Sequence, residues 1–148
     1  MARGEITTTV IGNLTDDPEL RFTPNGTAVA NFTVAVNPRT YNRQTGEWED
    51  GEPSFLRCVA WRNLAEHVAE SLTRGNRAVV TGTLSERRWT DKETEQPRSA
   101  WELRVEDVGP SLMYATARPR KVRRDTVPPD DEFANASTER PTNQTPAK

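Results

Sequence analysis

Large aromatic side chains alternate with arginines in two short segments of the sequence. Phe55, Arg57 and Trp61 occupy one parity of the segment 55–61, and Arg87 and Trp89 share one parity further along the chain. A rigid ring stacks on any unpaired base at about 1–3 kcal/mol per base. An arginine beside it neutralises a phosphate and releases counterions. This combination predicts a surface that binds single-stranded nucleic acid.

Strand parity separates these residues from the core that must position them. Side chains of a strand alternate between its two faces, so small apolar residues on one parity predict an interior face. That set comprises Leu56, Cys58, Ala60, Ala78, Val80, Gly82 and Leu84. Trp101 shares the parity of Leu103 and Val105, which predicts a place in the core or in an interface. Two interpretations of the outward aromatic rings stay open. The rings stack on bases, or they are structural and pack under the long loops or in a subunit interface.

The elements follow from apolar periodicity and from turn residues. We predict strands at 6–11, 29–36, 55–61, 77–84 and 101–108, a helix over 63–72 with Asn63 as its N-cap, and a short sixth strand at 111–115. The polar segments 37–53 and 86–99 are expected to form long hairpin loops. In the first of them, Tyr41 and Trp48 either stack on bases or anchor the loop. The predicted fold class is all-β, a five-stranded OB-fold barrel with one helix between strands 3 and 4.

Composition divides the chain near residue 115. Hydrophobic residues make up only 33% of the sequence and the mean hydropathy is -0.83, which predicts that part of the chain stays unfolded. Prolines and charged residues dominate after that point. We therefore predict an OB-fold domain for single-stranded DNA binding and oligomerisation over 1–115, and a disordered tail over 116–148. The net charge of -2 argues against a globally basic surface, so phosphates must bind in a local groove.

Metal and catalytic chemistry find little support in the sequence. Cys58 is the only cysteine and His67 the only histidine, so one subunit cannot assemble the usual nitrogen-and-sulfur metal sites. The acidic residues of the segment 47–52 fit a solvated loop better than a metal site. No enzyme activity and no cofactor are expected. The sequence shows no signal peptide and no membrane-spanning stretch, so a cytoplasmic, nucleoid-associated location is predicted.

Several segments resemble the bacterial single-stranded DNA-binding proteins, and among these the actinobacterial branch. The unbroken block 17–35, DPELRFTPNGTAVANFTVA, carries the resemblance most specifically. Further matching segments are GNL at 12–14, TGEW at 45–48, LAE at 64–66 and VGPSL at 108–112. The similarity covers nearly all of residues 1–115.

The resemblance implies an OB-fold homotetramer that binds single-stranded DNA without sequence preference in replication, recombination and repair. The stacking positions of the family fall on Phe55, Trp61 and Trp89, the rings that parity selects. Its phosphate-contacting positions fall on Arg3, Arg43, Arg57, Arg74, Arg87 and Arg88. The segment 111–114 looks like the hooked strand that clamps tetramers in this branch.

Two features depart from the family pattern. Many members have a tryptophan in the long loop where this chain has Thr40, with Tyr41 beside it as the candidate contact. The family usually ends in aspartates and a terminal proline–phenylalanine that recruits replication and repair proteins. This chain ends in TPAK, and its similar segment PDDEF at 129–133 is internal. The sequence therefore does not predict recruitment of those partners, and favours a paralogue or a phage- or plasmid-encoded variant.

Other functions stay open at this point. An OB interaction module that assembles a replication or restart complex would also fit an acidic domain without the loop tryptophan. The three outward rings favour DNA binding over that module. RNA binding fits as well, because stacking does not distinguish the sugars. An enzyme that uses Cys58 or His67 is the weakest alternative.

Overall fold

The computed structural model of the chain describes residues 3–123. β-Strands dominate it, as the β-branched runs and turn residues predict. The elements in chain order are β1 (Ile6–Leu14), β2 (Glu19–Phe22), β3 (Ala28–Val36), β4 (Arg39–Asn42), β5 (Glu47–Asp50), β6 (Ser54–Trp61), α1 (Asn63–Ser71), β7 (Arg77–Thr90) and β8 (Pro97–Pro110). The all-β prediction with one helix is confirmed.

Five strands pair in a ring. The order β1-β7-β8-β6-β3 closes through a short pairing of β1 with β3, at Asn13 with Ala35 and Leu14 with Val34. The strand β2 adds to the other edge of β3, and β4 and β5 form a separate two-stranded hairpin. The pairing of β6 with β8 is parallel, while the other pairs are antiparallel. This is the five-stranded arrangement that the sequence predicts.

Small apolar side chains fill the interior of the ring. Ala30, Ala60, Ala78 and Val80 are fully buried, and Cys58 lies among them. The even positions of β6 and β7 thus face inward, as their parity predicts. The helix covers the core with Ala65, Val68 and the following Leu72, each of which is buried.

Two glycines allow strands to approach more closely than a side chain permits. A Cβ on Gly12 would lie 2.5 Å from the carbonyl oxygen of Ala35, at the junction of β1 and β3. A Cβ on Gly82 would collide with the carbonyl oxygen of Arg104. The register of β7 and β8 shifts by a β-bulge between Thr81 and Gly82, so the close contact marks the bend of this strand pair.

The helix begins differently from the prediction. Its N-cap is Arg62 rather than Asn63, and no side chain caps the helix. Arg62 has φ 61° and ψ -135°, a conformation that costs a non-glycine residue about 1–3 kcal/mol. Its backbone N–H donates to the carbonyl of Ala28 at 2.8 Å, which holds the turn between β6 and the helix. The cap prediction was wrong because the chain turns sharply after Trp61, and the bond that Arg62 donates to β3 fixes Arg62, one residue earlier, as the N-cap.

The remaining differences concern strand lengths. The strand β2 was not predicted, because its four residues are mostly exposed. The predicted sixth strand at 111–115 was wrong, because this segment contains no strand. The N–H of Ser111 donates to the carbonyl of Arg77 on β7, and the Arg77 guanidinium lies 5.6 Å from the centre of the Tyr114 ring. Strands β7 and β8 continue through most of the predicted polar loop 86–99, so that it is a long hairpin.

The chain divides into two units after residue 117. Residues 118–123 form no helix or strand. The domain division at 115 and the disorder of the tail stay predictions, and residues 124–148 lie outside the described part of the chain.

We predict that Gly82→Ala destabilises the fold by about 2 kcal/mol or more, because the new methyl group meets backbone that cannot move without breaking the sheet. Gly109→Ala is the matched control, since a Cβ there meets nothing within 4 Å. The control should change stability by less than about 1 kcal/mol. Urea denaturation at one protein concentration measures both. Equal midpoints for the two variants would contradict the close contact at the bulge.

Candidate nucleic-acid interface

The outward residues of β6 form the centre of the candidate site. Phe55, Arg57 and Trp61 are exposed on one side of this strand. Val59 has the same parity but is buried, with Asn31 of β3 on one side and Arg104 of β8 on the other. Arg57 donates from Nη2 to the Asn31 side-chain oxygen at 3.4 Å, which orients its guanidinium across the face of the sheet.

Cross-strand registers extend this face over the neighbouring strands. Trp61 lies opposite Val29 of β3, which lies opposite Arg21 of β2. On the other side Arg57 lies beside Glu102 of β8. Partners in a ladder point to the same side of a sheet, so β2, β3, β6 and β8 share one outer face.

The same face continues onto the β7–β8 hairpin. Glu102 lies opposite Ser85 of β7, which shares its parity with Arg87 and Trp89. Both of these residues are exposed, and Trp89 lies opposite Arg98. The two segments that the sequence singled out therefore share one face of a single sheet. We call this surface, with Phe55, Arg57, Trp61, Arg87 and Trp89, the outer aromatic face.

Arg88 does not belong to the outer aromatic face. It points to the opposite side of the hairpin, where its Nε donates to Glu86 at 3.2 Å and its Nη2 donates to the same carboxylate at 3.5 Å. This hydrogen bond lowers the pKa of Glu86 and raises the pKa of Arg88. The adjacent arginines of the sequence thus serve two different surfaces.

Three predicted arginines lie in separate loops. Arg3 precedes β1, and Arg43 lies in the turn between β4 and β5. Arg74 follows the helix, and its backbone N–H donates to Asp17 at 2.8 Å. All three side chains are exposed. Tyr41 lies on the β4–β5 hairpin, packed against Trp48.

Sequence reasoning missed three arginines that the registers place on the outer aromatic face. Arg104 lies beside Val59 and opposite Thr83, and its side chain is exposed. Arg104 alternates with the buried Leu103 and Val105, so strand parity alone could have predicted that its side chain points outward. Arg21 and Arg98 join the same face, and each forms an ion pair, with the exposed Glu19 at 3.4 Å and with the half-buried Asp91 at 3.2 Å, respectively.

The core placement of Trp101 was wrong. Its parity is that of the buried Leu103, yet Trp101 is 49% exposed. It lies opposite Glu86, in the part of the hairpin that extends past the interior of the ring. No second layer of structure covers that side in residues 3–123, so inward parity there does not bring burial. An interface remains as the other half of that prediction.

Comparison with known proteins agrees with this geometry. Residues 6–111 match the Single-strand binding protein family. The chain belongs to this family. The single-stranded DNA-binding protein of Mycolicibacterium smegmatis is 60% identical over 121 residues, which cover 82% of this chain and 73% of that protein. Single-stranded DNA-binding protein 2 of Streptomyces coelicolor is 57% identical over 118 residues, covering 80% of this chain and 59% of that protein.

A solved structure supports the fold as well. The crystal structure of the small single-stranded DNA-binding protein from Streptomyces coelicolor is 30% identical in sequence and superposes with a TM-score of 0.63. The match covers 74% of this chain and 96% of that chain. These relatives confirm the resemblance to the actinobacterial branch.

Family membership agrees with the prediction that the chain is not an enzyme. Cys58 is fully buried between strands, and its thiol donates weakly to the Leu56 carbonyl at 3.7 Å. Burial raises the pKa of this thiol to about 12. His67 lies exposed on the helix. Within residues 3–123, no three histidine, cysteine or acidic side chains are grouped to hold a metal ion. No helix of the same residues is long and apolar enough to cross a membrane.

We predict that Cys58 of the native protein reacts with a thiol reagent at pH 8 at least about a hundredfold more slowly than the same thiol in unfolded chain. Only a thiolate reacts, and a pKa of about 12 leaves almost none at that pH. Absorbance with an aromatic disulfide reagent, with and without urea, measures the two rates. Equal rates would show that the strand pair around Cys58 opens readily.

Proposed function

We propose that this chain binds single-stranded DNA without sequence preference, through base stacking and arginine–phosphate contacts, and protects it during replication, recombination and repair. The outer aromatic face is the observation that carries the proposal. Phe55, Trp61 and Trp89 are all exposed on it, although large aromatic residues in a small domain usually contribute to the core. Membership in the single-strand binding family supports the same function.

The chemistry of the face suits unpaired strands. Each exposed ring offers a π-surface on which any base can stack, and a duplex keeps its π-surfaces covered. Arg57 and Arg87 alternate with the rings along their strands, and Arg104 lies between these strands on β8. Phosphates that follow the stacked bases thus meet cations at short intervals, in a chain whose overall charge is negative. Binding should therefore weaken as salt rises.

We further propose that the protein acts as a homotetramer in the cytoplasm, associated with the nucleoid. The strand β1 supports self-association. One edge of β1 pairs with β7. The other edge pairs with β3 only at Asn13 and Leu14, so it is open from Ile6 to Gly12 in the described chain. The outer side of β1 carries Thr9 and the exposed Ile11, and the strand contains no charged residue. An uncharged open strand edge favours pairing with a second copy.

Partners other than DNA and the chain itself are not assigned. Replication and repair proteins are candidates, but the usual acidic docking tip is missing, and the internal segment 129–133 that resembles it lies outside the described part. A module that only assembles protein complexes remains the alternative, and the DNA titration separates it from the proposal.

We expect poly(dT) to quench the tryptophan fluorescence strongly and to saturate at a defined number of nucleotides per protein. Trp61→Ala or Trp89→Ala should weaken affinity by about 1–3 kcal/mol, because each removes one stacked base. Trp101→Ala is the matched control on the opposite side of the hairpin, and should leave affinity within about twofold. The titrations are made at low and high salt, with duplex DNA and poly(U) for comparison.

Little quenching and no competition by single strands would favour the interaction module instead. Tighter binding of poly(U) than of poly(dT) would assign the face to RNA.

We expect Ile11→Arg to dissociate the tetramer. If two copies meet at β1 about a two-fold axis, the same patch of both subunits lies in the interface, so the new arginines of the two copies come close together and repel each other. Ile11→Val, which keeps the apolar surface, should remain tetrameric. Light scattering after size-exclusion chromatography, at one protein concentration, gives the mass of each. A tetramer in the arginine variant would place the interface elsewhere on the molecule.

A further inference from the structure

The β4–β5 hairpin is held in one shape at its tip and at its base. At the tip, the side-chain oxygen of Asn42 accepts the backbone N–H of Gln44 at 2.8 Å, and the N–H of Gly46 donates to the Asn42 carbonyl at 2.8 Å. At the base, the N–H of Gly51 donates to the carbonyl of Pro38 at 2.6 Å. The hairpin is therefore a preorganised platform, although it is only four residue pairs long.

Its two sides differ in chemistry. Cross-strand partners share a side, so the registers assign each residue. One side carries aromatic rings and one ion pair, and consists of Arg39, Tyr41, Trp48 and Asp50. The other side is polar and acidic, and consists of Thr40, Asn42, Glu47 and Glu49. A phosphate backbone is repelled by the second side and has a cation available on the first.

Tyr41 and Trp48 already pack against each other. Their ring centroids are 5.5 Å apart and their planes are inclined by 60°. A base between two rings needs their planes roughly parallel, with room for a third ring between them, and this tilted pair in direct contact offers neither. No base enters this pair, so a base must stack on an outer surface of one of the two rings.

Exposure and position distinguish the two rings. Trp48 is 62% exposed and Tyr41 is 51% exposed. The hydroxyl of Tyr41 lies over the turn, 3.8 Å from where a Cβ on Gly46 would stand. Tyr41 thus contacts both the turn and the indole, while Trp48 presents the larger free ring surface. Packing of the hairpin alone does not require an indole that remains so exposed.

Arg39 provides the charge beside this ring. Its Nε lies 3.3 Å from Asp50, and both side chains are well exposed. An exposed pair of this kind is worth roughly 0–1 kcal/mol, so a phosphate can replace the carboxylate at little cost.

We propose that Trp48 is a fourth base-stacking residue, which Tyr41 positions and beside which Arg39 contacts a phosphate. This inference rests on the proposed binding of single-stranded DNA. It adds a contact surface away from the outer aromatic face, and it changes the role of Tyr41 from a direct contact to a positioning residue. Bound single-stranded DNA then stacks on Trp48 of the hairpin as well as on the outer aromatic face.

The test uses Trp48 as the only fluorophore. In the full chain with Trp61→Phe, Trp89→Phe and Trp101→Phe, the rings that stack are retained and only Trp48 reports. Titration with an oligo(dT) should quench this fluorescence at the same stoichiometry as binding, and duplex DNA should not. If the wild-type chain binds oligo(dT) but Trp48 is not quenched, this inference fails alone. If the wild-type chain does not bind, the proposed function fails.

Affinity measurements in the otherwise wild-type chain test the same inference independently of the triple variant. Trp48→Ala should weaken oligo(dT) binding fivefold or more. Thr40→Ala, on the acidic side of the same hairpin, should leave it within twofold. An unchanged affinity of Trp48→Ala would overturn the proposal.

A double-mutant cycle separates positioning from stacking. Tyr41→Leu should weaken binding in the wild-type background and have no further effect when Trp48→Ala is present, because Tyr41 acts through the indole. A full additional loss in that background would instead make Tyr41 a direct contact.

Discussion

The close approach of strand backbones at Gly12 and Gly82 is the constraint on which the ring of strands depends. At Gly12 the chain of β1 passes the carbonyl of Ala35 on β3, where the ring closes. At Gly82 it passes the carbonyl of Arg104, beside the bulge that bends β7 against β8. A methyl group at either position would separate strands that hydrogen bonds hold together.

A ring closed so tightly leaves a narrow interior. Alanines and valines fill most of it, and Cys58 is buried for the same reason. Phe32 is the only aromatic side chain buried in the core of the described chain. The other large rings must lie outside or on the hairpins, and that is where the strands present them next to arginines. The geometry that makes the core small therefore also produces the surface that suits stacking with bases.

The two hairpins follow a different rule from the ring. Alternation of side chains continues along both of them, but no second layer covers either side within residues 3–123. Parity there decides only which residues lie together, as for Tyr41 with Trp48 and for Trp89 with Arg98. Charges on the two sides then decide what each can bind. On one side of the long hairpin, Glu86 forms an ion pair with Arg88. On the other side, Arg87 takes part in none of the four ion pairs found in the described chain.

The sequence by itself determined what depends on local pattern. The order of the five strands of the ring and the helix, the inward parity of Cys58 and Val80, and the exposed aromatic side chains of Phe55, Trp61 and Trp89 all follow from alternation and turn residues. The block 17–35 was enough to indicate the family. Residues within a few positions of one another set these features, so they can be predicted without a partner strand.

Only the tertiary structure decided what depends on neighbours distant in sequence. Burial requires a covering layer, which is why Trp101 is exposed despite its inward parity. Cross-strand registers brought Arg104 and Arg98 to the outer aromatic face, and only the structure shows that Arg88, on the opposite side, bonds to Glu86. A bond to β3 holds the backbone of the N-cap Arg62, and the register of a hairpin brings Tyr41 against Trp48. A one-dimensional pattern specifies the side of a strand, whereas the partner across the sheet is fixed only when the chain folds.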